Sequence, residues 1–354
     1  MSLTLRMPDD FHVHLRQGEM IAPVMAETAP WFGRILVMPN VEPPIYSAER
    51  LLEYRREIEV AASRVIGASP QPELLMTFKV SPAIPVVEVQ RLREAGAIGG
   101  KLYPRGVTTN SADGVEEIDA LYPLFEAMEE HDLVLEIHAE EPGAFSLDRE
   151  AAYMPTISRL ARDFPELRIV VEHVSSKAAV EAVRACPANV AATVTLHHLM
   201  LTLDDVVGDC LQPHHFCKPI AKRPEDLEAI REAVLGGDPR FFFGSDSAPH
   251  PRDAKESACG CAGIYTAPVA LPLLVELFEA AGVALTEAEA DTGPNPTSRP
   301  SLERFTSRLG AEFYRLPLPE RSVTLAEIPW TVPASYAGVV PYYAGATLRY
   351  TRSD

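Results

Sequence analysis

Short apolar or β-branched runs alternate along this chain with longer amphipathic ones, and the alternation repeats about eight times. The short runs predict strands over 10–16, 34–40, 74–81, 98–103, 133–139, 168–175, 190–197 and 240–245. Between most of them a helical period predicts helices over 47–63, 86–95, 115–131, 149–164, 177–185 and 224–235. Strands this continuously apolar are covered on both faces, so eight β/α units predict an α/β fold, a parallel (β/α)8 barrel of the triosephosphate isomerase type. A doubly wound open sheet is the weaker alternative, because it gathers residues at a switch point rather than from nearly every strand. The barrel is read over 1–281. The proline-rich remainder, 282–354, carries alternating runs at 322–325 and 346–350 and is read as a C-terminal extension packed on the barrel.

Composition narrows the partners. A chain of 354 residues with 47% hydrophobic content can bury one large core. Its net charge of −18 argues against nucleic acid or an anionic membrane, which require a basic surface. A small anionic substrate stays compatible, because local arginine, lysine and metal charges dominate inside a pocket. Five cysteines (Cys186, Cys210, Cys217, Cys259 and Cys261) are an odd set in a large chain, which reads as reduced thiols in the cytoplasm. The Cys259-Gly260-Cys261 spacer is too short for a zinc knuckle and reads as a tight turn. Residues 1–10 show no basic segment followed by an apolar core, so no signal peptide is expected. The stretch 267–285 is the most apolar, but Pro268, Pro272, Glu276 and Glu279 make it a packed helix rather than a membrane span.

The placement of polar residues carries the chemistry. His14, Asn40, Lys101, His138, His173 and Asp246 lie near the C-terminal ends of their own predicted strands, the catalytic mouth of such a barrel. In Phe11-His12-Val13-His14 the two histidines stand at i and i+2, so both rings leave one face and can grip one metal. On a buried strand unpaired histidines are costly, which favours ligands over two polar residues on an edge. His138 or His173 alone would read as a hydrogen-bonded core histidine; together at successive strand ends they read as ligands. Lys101 ends its strand among these groups, where a free ammonium would be repelled. Reaction of its neutral amine with carbon dioxide gives a carbamate anion whose two oxygens can bridge two metals. Asp246 has the N-cap of a following helix as its plain alternative. At a barrel mouth, however, one carboxylate oxygen can bind metal while the other accepts a proton.

These residues sit in an ordered series: Phe11-His12-Val13-His14-Leu15-Arg16, Met38-Pro39-Asn40, Lys101-Leu102-Tyr103-Pro104 followed by Thr108-Thr109-Asn110-Ser111, Ile137-His138-Ala139-Glu140, Glu172-His173, and Gly244-Ser245-Asp246-Ser247-Ala248-Pro249-His250. Lys255-Glu256-Ser257 and Cys259-Gly260-Cys261-Ala262-Gly263 extend it. The series resembles dihydroorotases of the single-function, shorter class in the amidohydrolase superfamily, over nearly the whole chain. The resemblance implies two zinc ions bridged by carboxylated Lys101, with His12, His14, Lys101 and Asp246 on the more buried metal and Lys101, His138 and His173 on the other. It implies that Arg16, Asn40 and His250 grip the substrate α-carboxylate, and that backbone near Lys218 and Ala262 reads the pyrimidine ring. The family often has leucine where Lys218 stands.

The implied activity is reversible closure of N-carbamoyl-L-aspartate to L-dihydroorotate and water, in pyrimidine synthesis, with Asp246 as proton shuttle. Thr108 and Thr109 are expected to reach a bound substrate as the segment 106–112 closes over it; the plain alternative is a linker with an N-cap at Ser111 or Asp113. His197 and His198 are expected to end the seventh strand as supports or packing, and His131, His214 and His215 to be surface or packing residues. The competing functions are another cyclic amide hydrolase, such as a dihydropyrimidinase or allantoinase, and a catalytically silent barrel serving as a scaffold. A substrate without the α-carboxylate leaves Arg16 and Asn40 no partner, and a silent barrel should have lost ligands. Self-association as a homodimer is left open.

Overall fold

The computed structural model describes residues 2–66, 71–107, 114–291 and 299–353. After a first strand β1 (Ser2–Arg6), eight parallel strands follow in sequence order: β2 (Asp9–Val13), β3 (Arg34–Val37), β4 (Glu73–Lys79), β5 (Ala97–Leu102), β6 (Val134–Ile137), β7 (Ile169–Val171), β8 (Val190–Val194) and β9 (Phe241–Phe243). The helices between and after them are α1 (Ile21–Thr28), α2 (Ala48–Ser63), α3 (Val86–Glu94), α4 (Tyr122–Glu130), α5 (Arg149–Asp163), α6 (Lys177–Ala185), α7 (Asp204–Val207), α8 (Pro224–Leu235), α9 (Arg252–Lys255) and α10 (Ala270–Ala280). The sheet closes nearly into a (β/α)8 barrel. Its seam runs just beyond β9, where Val13 bridges Ser247, the Asp246 amide donates to His12 O at 2.9 Å and the His14 amide to Ser247 O at 3.1 Å.

Local sequence explains the elements. On α2 the buried positions Leu51, Tyr54, Ile58, Ala61 and Ala62 follow the helical period, and Ser47 caps the helix by accepting from the Arg50 amide at 3.3 Å. Ser176 caps α6 in the same way, accepting from the Ala179 amide at 3.2 Å. The 267–285 stretch forms α10, and among the described residues no helix is long and apolar enough to cross a membrane.

Two departures from the sequence reading bear on function. Several strands stop short of their predicted ends, β7 at Val171 and β8 at Val194, because the polar residues of the mouth leave the ladder. The first strand, which the apolar pattern did not mark, pairs antiparallel with β10 (Ser322–Ala326), which in turn pairs with β13 (Thr351–Ser353). A short ladder joins β11 (Trp330–Thr331) and β12 (Thr347–Leu348). Ahead of these, α11 (Glu287–Ala290) is followed by a π-helical turn at Arg304–Arg308 and by α12 (Leu309–Phe313). Leu309 and Tyr314 then enter the bottom of the barrel, packing with Phe11, Leu36, Met38, Leu75, Val134, Val170 and Phe242. Residues near the chain's end thus seal the floor under the site.

Candidate active site

Three backbone irregularities aim side chains at the barrel axis. A register shift between Asp10 and Val13 lets Phe11 join the floor while His12 turns toward the mouth. His173 and Asp246 adopt φ of 43° and 42°, a left-handed conformation that non-glycine residues seldom hold. That turn breaks the alternation of a strand, so neighbours Glu172 and His173, and likewise Ser245 and Asp246, all reach the interior. Ser245 is tied there by the buried Asp10 carboxylate, which accepts from its amide at 2.8 Å and its hydroxyl at 2.5 Å.

Each of three histidines has one ring nitrogen bound by a neighbour, which fixes what the other presents. His12 Nδ1 donates to Glu172 Oε2 at 2.7 Å, and Thr193 Oγ1 donates to the same oxygen at 2.5 Å. His14 Nδ1 lies 2.7 Å from Asn40 Oδ1, and His138 Nε2 lies 2.7 Å from Glu140 Oε2. The opposite nitrogens of His12 and His14 stand 3.4 and 3.1 Å from Asp246 Oδ1. A lone pair facing a carboxylate oxygen at that distance repels it unless a proton or a metal ion is shared. The edge of a tetrahedron built on metal–donor bonds of about 2.0–2.1 Å is about 3.3–3.4 Å, so the spacing suits a metal. Donor atoms of His12, His173 and Asp246 all fall within 4.8 Å of one another, and the His138 and His173 ring centroids are 4.7 Å apart.

The electrostatics agree. Burial resists charging of His12, but Glu172 and Asp246 outweigh it and lift the ring to about 9. Two carboxylates that draw a proton onto this ring would draw a dication in its place. Burial pushes His14 down to about 4 and lowers His138 and His173, which keeps all three neutral and able to ligate. Burial also opposes ionisation of Asp246, yet His12 and His14 hold its carboxyl well below the usual range.

Lys101 lies at the centre, fully buried, and its Nζ has no hydrogen-bond partner. The nearest carboxylate oxygen, Glu172 Oε1, is 3.9 Å away and also lacks a hydrogen-bond partner. Burial lowers the lysine from its ordinary value against the pull of Glu172, Glu136 and Asp246. A lowered pKa favours the neutral amine, the form that reacts with carbon dioxide. Beneath it Glu136 is raised to about 8 by burial and by Glu172, and Tyr314 Oη donates to its Oε1 at 3.2 Å. Gly99 makes room for this carboxyl, since a Cβ there would fall 2.2 Å from Glu136 Oε1.

A cavity opens at these groups, lined by the candidate ligands His12, His14, His138, His173 and Asp246 together with Arg16, Asn40, Lys218 and Ala262. Arg16 Nε donates to Pro249 O at 2.8 Å, and its Nη2 lies 2.9 Å from His250 Nε2. That same His250 nitrogen is 3.0 Å from Ala262 O; it can serve only one of the two at a time, so its tautomer decides which. Burial and the Arg16 charge push His250 down to about 3, and the ring is neutral.

The structure therefore gathers His12, His14, Arg16, Asn40, Lys101, His138, His173, Lys218, Asp246, His250 and Ala262 at one mouth. Thr108 and Thr109 lie outside the described residues. His197 and His198 do not end the seventh strand; they sit on a one-turn 3-10 helix, His197–Leu199, beyond it. His198 is held by Thr195 Oγ1 at 2.9 Å and donates to Pro219 O at 3.0 Å, whereas neither nitrogen of buried His197 has a hydrogen-bond partner. Sequence reasoning assigned no role to Glu172, Glu140 or Glu136. For Glu136 and Glu172 the signal was present, because an acidic residue inside a predicted apolar barrel strand is expensive unless something charged or polar faces it.

Fold and site together define a hydrolase of the amidohydrolase class, and the amidohydrolase family model matches residues 81–260. The dihydroorotase of Laribacter hongkongensis is 43% identical over 357 residues, covering 99% of this chain and 98% of its own; that of Azoarcus sp. is 42% identical over 356 residues, covering 98% of each. Among solved structures, the dihydroorotase of Campylobacter jejuni superposes with a TM-score of 0.86 at 36% identity over 100% of this chain and 98% of the other. The chain belongs to the dihydroorotase family. Hydantoinases, such as that of Arthrobacter aurescens with a TM-score of 0.78 at 18% identity over 99% of this chain and 83% of the other, share the fold.

Proposed function

We propose that this chain interconverts N-carbamoyl-L-aspartate and L-dihydroorotate, the third step of pyrimidine biosynthesis, with two zinc ions and a carboxylated Lys101. The observation that carries the reading is the meeting, in one cavity, of a metal-donor set with the guanidinium of Arg16, beside a buried lysine whose Nζ has no hydrogen-bond partner. His12, His14, Lys101 and Asp246 would hold one metal, and Lys101, His138 and His173 the other. When bound, such a pair polarises the ring amide carbonyl and makes water nucleophilic near neutral pH.

The chain's own residues supply the rest. Arg16, flanked by Asn40 and His250, offers a planar fork that pairs with a carboxylate, which orients the substrate before any bond changes. Backbone at Lys218 and Ala262 lines the same cavity and would suit the ring edge. Asp246 is held ionised, so it takes the proton released as the amide opens and returns it to the departing nitrogen; ring closure runs the same path backwards. Five free cysteines are consistent with work in the cytoplasm.

The test is ring opening of L-dihydroorotate followed in the ultraviolet, with metal analysis on the same sample. Turnover with about two zinc ions per chain supports the reading. Inactivity of the metal-loaded protein toward dihydroorotate, or equal turnover of hydantoin or dihydrouracil, which lack the α-carboxylate that Arg16 would bind, ends it.

A further inference from the structure

Lys255 closes α9 and is buried, with 3% of its surface exposed, yet among the described residues no carboxylate forms an ion pair with it. Its ammonium instead spends its three N–H groups on three main-chain carbonyls: Phe216 O at 2.9 Å, Cys261 O at 2.8 Å and Gly263 O at 2.7 Å. Those carbonyls belong to two segments far apart in sequence. Between and beside them lie Lys218, Ala262 and Gly263, which line the same cavity as the candidate metal ligands. A main-chain bond from the Gly263 amide to Phe216 O at 2.9 Å stitches the segments together at the same point. Gly263 has φ +145°, and a Cβ there would meet Ala248 O at 2.6 Å, so only glycine fits at this point of the wall. Burial lowers the lysine to about 8, partly offset by the neighbouring Cys217 and Cys261, and the ammonium persists through charge-assisted bonds to the carbonyls.

We propose that Lys255 is a positioning residue that clamps the 216–218 and 261–263 segments together, so that their backbone keeps the spacing needed to read the substrate ring. This rests on the reading of the site as a dihydroorotase, because the clamp acts on the wall assigned to the ring. Lys255 touches neither the metal ligands nor the reacting atoms in any contact the structure gives. The clamp should therefore govern binding of the ring, leaving the chemical step and metal retention largely alone. A buried carbonyl that loses its donor relaxes toward water or another partner, and three of them here would loosen both segments at once.

The experiment compares metal-loaded wild type with Lys255→Met, which removes every donor, and Lys255→Gln, which keeps two. Hydrogen–deuterium exchange reads the clamp without reference to substrate: amides of 261–264 should exchange faster in Lys255→Met, with Lys255→Gln between it and wild type. Kinetics read its consequence: KM for dihydroorotate should rise about tenfold or more in Lys255→Met, with kcat within about threefold and zinc content unchanged. Unchanged exchange overturns the clamp, and so does a fall in kcat at constant KM, loss of zinc, or failure of both variants to fold, any of which makes Lys255 a general structural residue. A wild-type protein inert toward dihydroorotate sinks the dihydroorotase reading instead, and the exchange data then still decide the clamp.

Discussion

The floor and the mouth of this barrel are built from the same eight strands, yet they treat polar groups in opposite ways. At the floor, Asp9 accepts from Arg34 at 3.0 and 2.5 Å, Asp10 is satisfied by Ser245 and the His12 amide, and aromatic rings fill the remaining space. Phe11 stacks on Tyr314 with centroids 4.9 Å apart and meets Phe242 edge-on at 5.4 Å. A few residues further along the same strands, Lys101 Nζ, Glu172 Oε1 and His173 Nδ1 are buried without hydrogen-bond partners. Stability is concentrated at one end, and unsatisfied chemistry at the other. An unpaired buried polar atom costs roughly 1–3 kcal/mol, so three together persist only because the packed end over-determines the fold.

The sharpest break of that contrast is Lys101→Ala. It should abolish turnover and lower zinc content together, because the group proposed to hold both metals is gone. Partial recovery with short carboxylic acids would mark the bridging role; full zinc content and normal rate in the variant would remove Lys101 from the site. Next in size is Asp246→Asn, which keeps one metal-binding oxygen but loses the basic one. Its turnover should fall by roughly 10²–10⁴-fold with zinc retained, the scale of general acid–base catalysis. Near-normal turnover would end the proton-shuttle assignment.

The floor should answer in the opposite currency. Phe242→Ala deletes a fully buried ring that meets Phe11, Phe313 and Tyr314. It should cost about 3–5 kcal/mol in denaturant unfolding while leaving zinc content and KM near wild type at temperatures where it is folded. A loss of zinc in folded Phe242→Ala would show that the two ends are coupled rather than separate.

Sequence legibility follows the same division. The strands of the barrel were readable because their apolar runs are continuous, and His12 and His14 stood out as candidate ligands because an i, i+2 pair on a strand sends both rings to one face. Lys101 stood out as a candidate because a lysine among histidines is chemically odd. The outer carboxylates were not assigned, because Glu172 next to His173 points inward only through a left-handed residue that no periodicity encodes. The same holds for Tyr314: nothing local in its segment says that it will cross to the barrel floor and reach Glu136. Strand β1 was missed because its partner, β10, is more than three hundred residues away and its own burial pattern is mixed.

The smallest expected effect tests the electrostatics of the mouth directly. Of the proposed histidine and aspartate ligands, His14, His138 and His173 are held neutral by burial and Asp246 is ionised, so at pH 7 only His12 of this group, lifted to about 9, carries a proton that metal must displace. Zinc uptake at pH 7 should therefore release about one proton from the histidines, and apparent affinity should climb up to about tenfold per pH unit until His12 loses its proton near 9. The sign for stability is the reverse in metal-free protein. A histidine raised from 6.5 contributes stability that is fully present below 6.5 and is lost as pH rises through about 9. The gap in melting temperature between zinc-loaded and metal-free protein should thus widen across that window. Glu172→Gln supplies the control, since an amide can still accept from His12 Nδ1 but no longer holds the ring charged. Proton release, read with an indicator in weak buffer, should drop in Glu172→Gln. Equal release in both proteins would mean that the displaced proton came from Lys101 on carboxylation and not from His12.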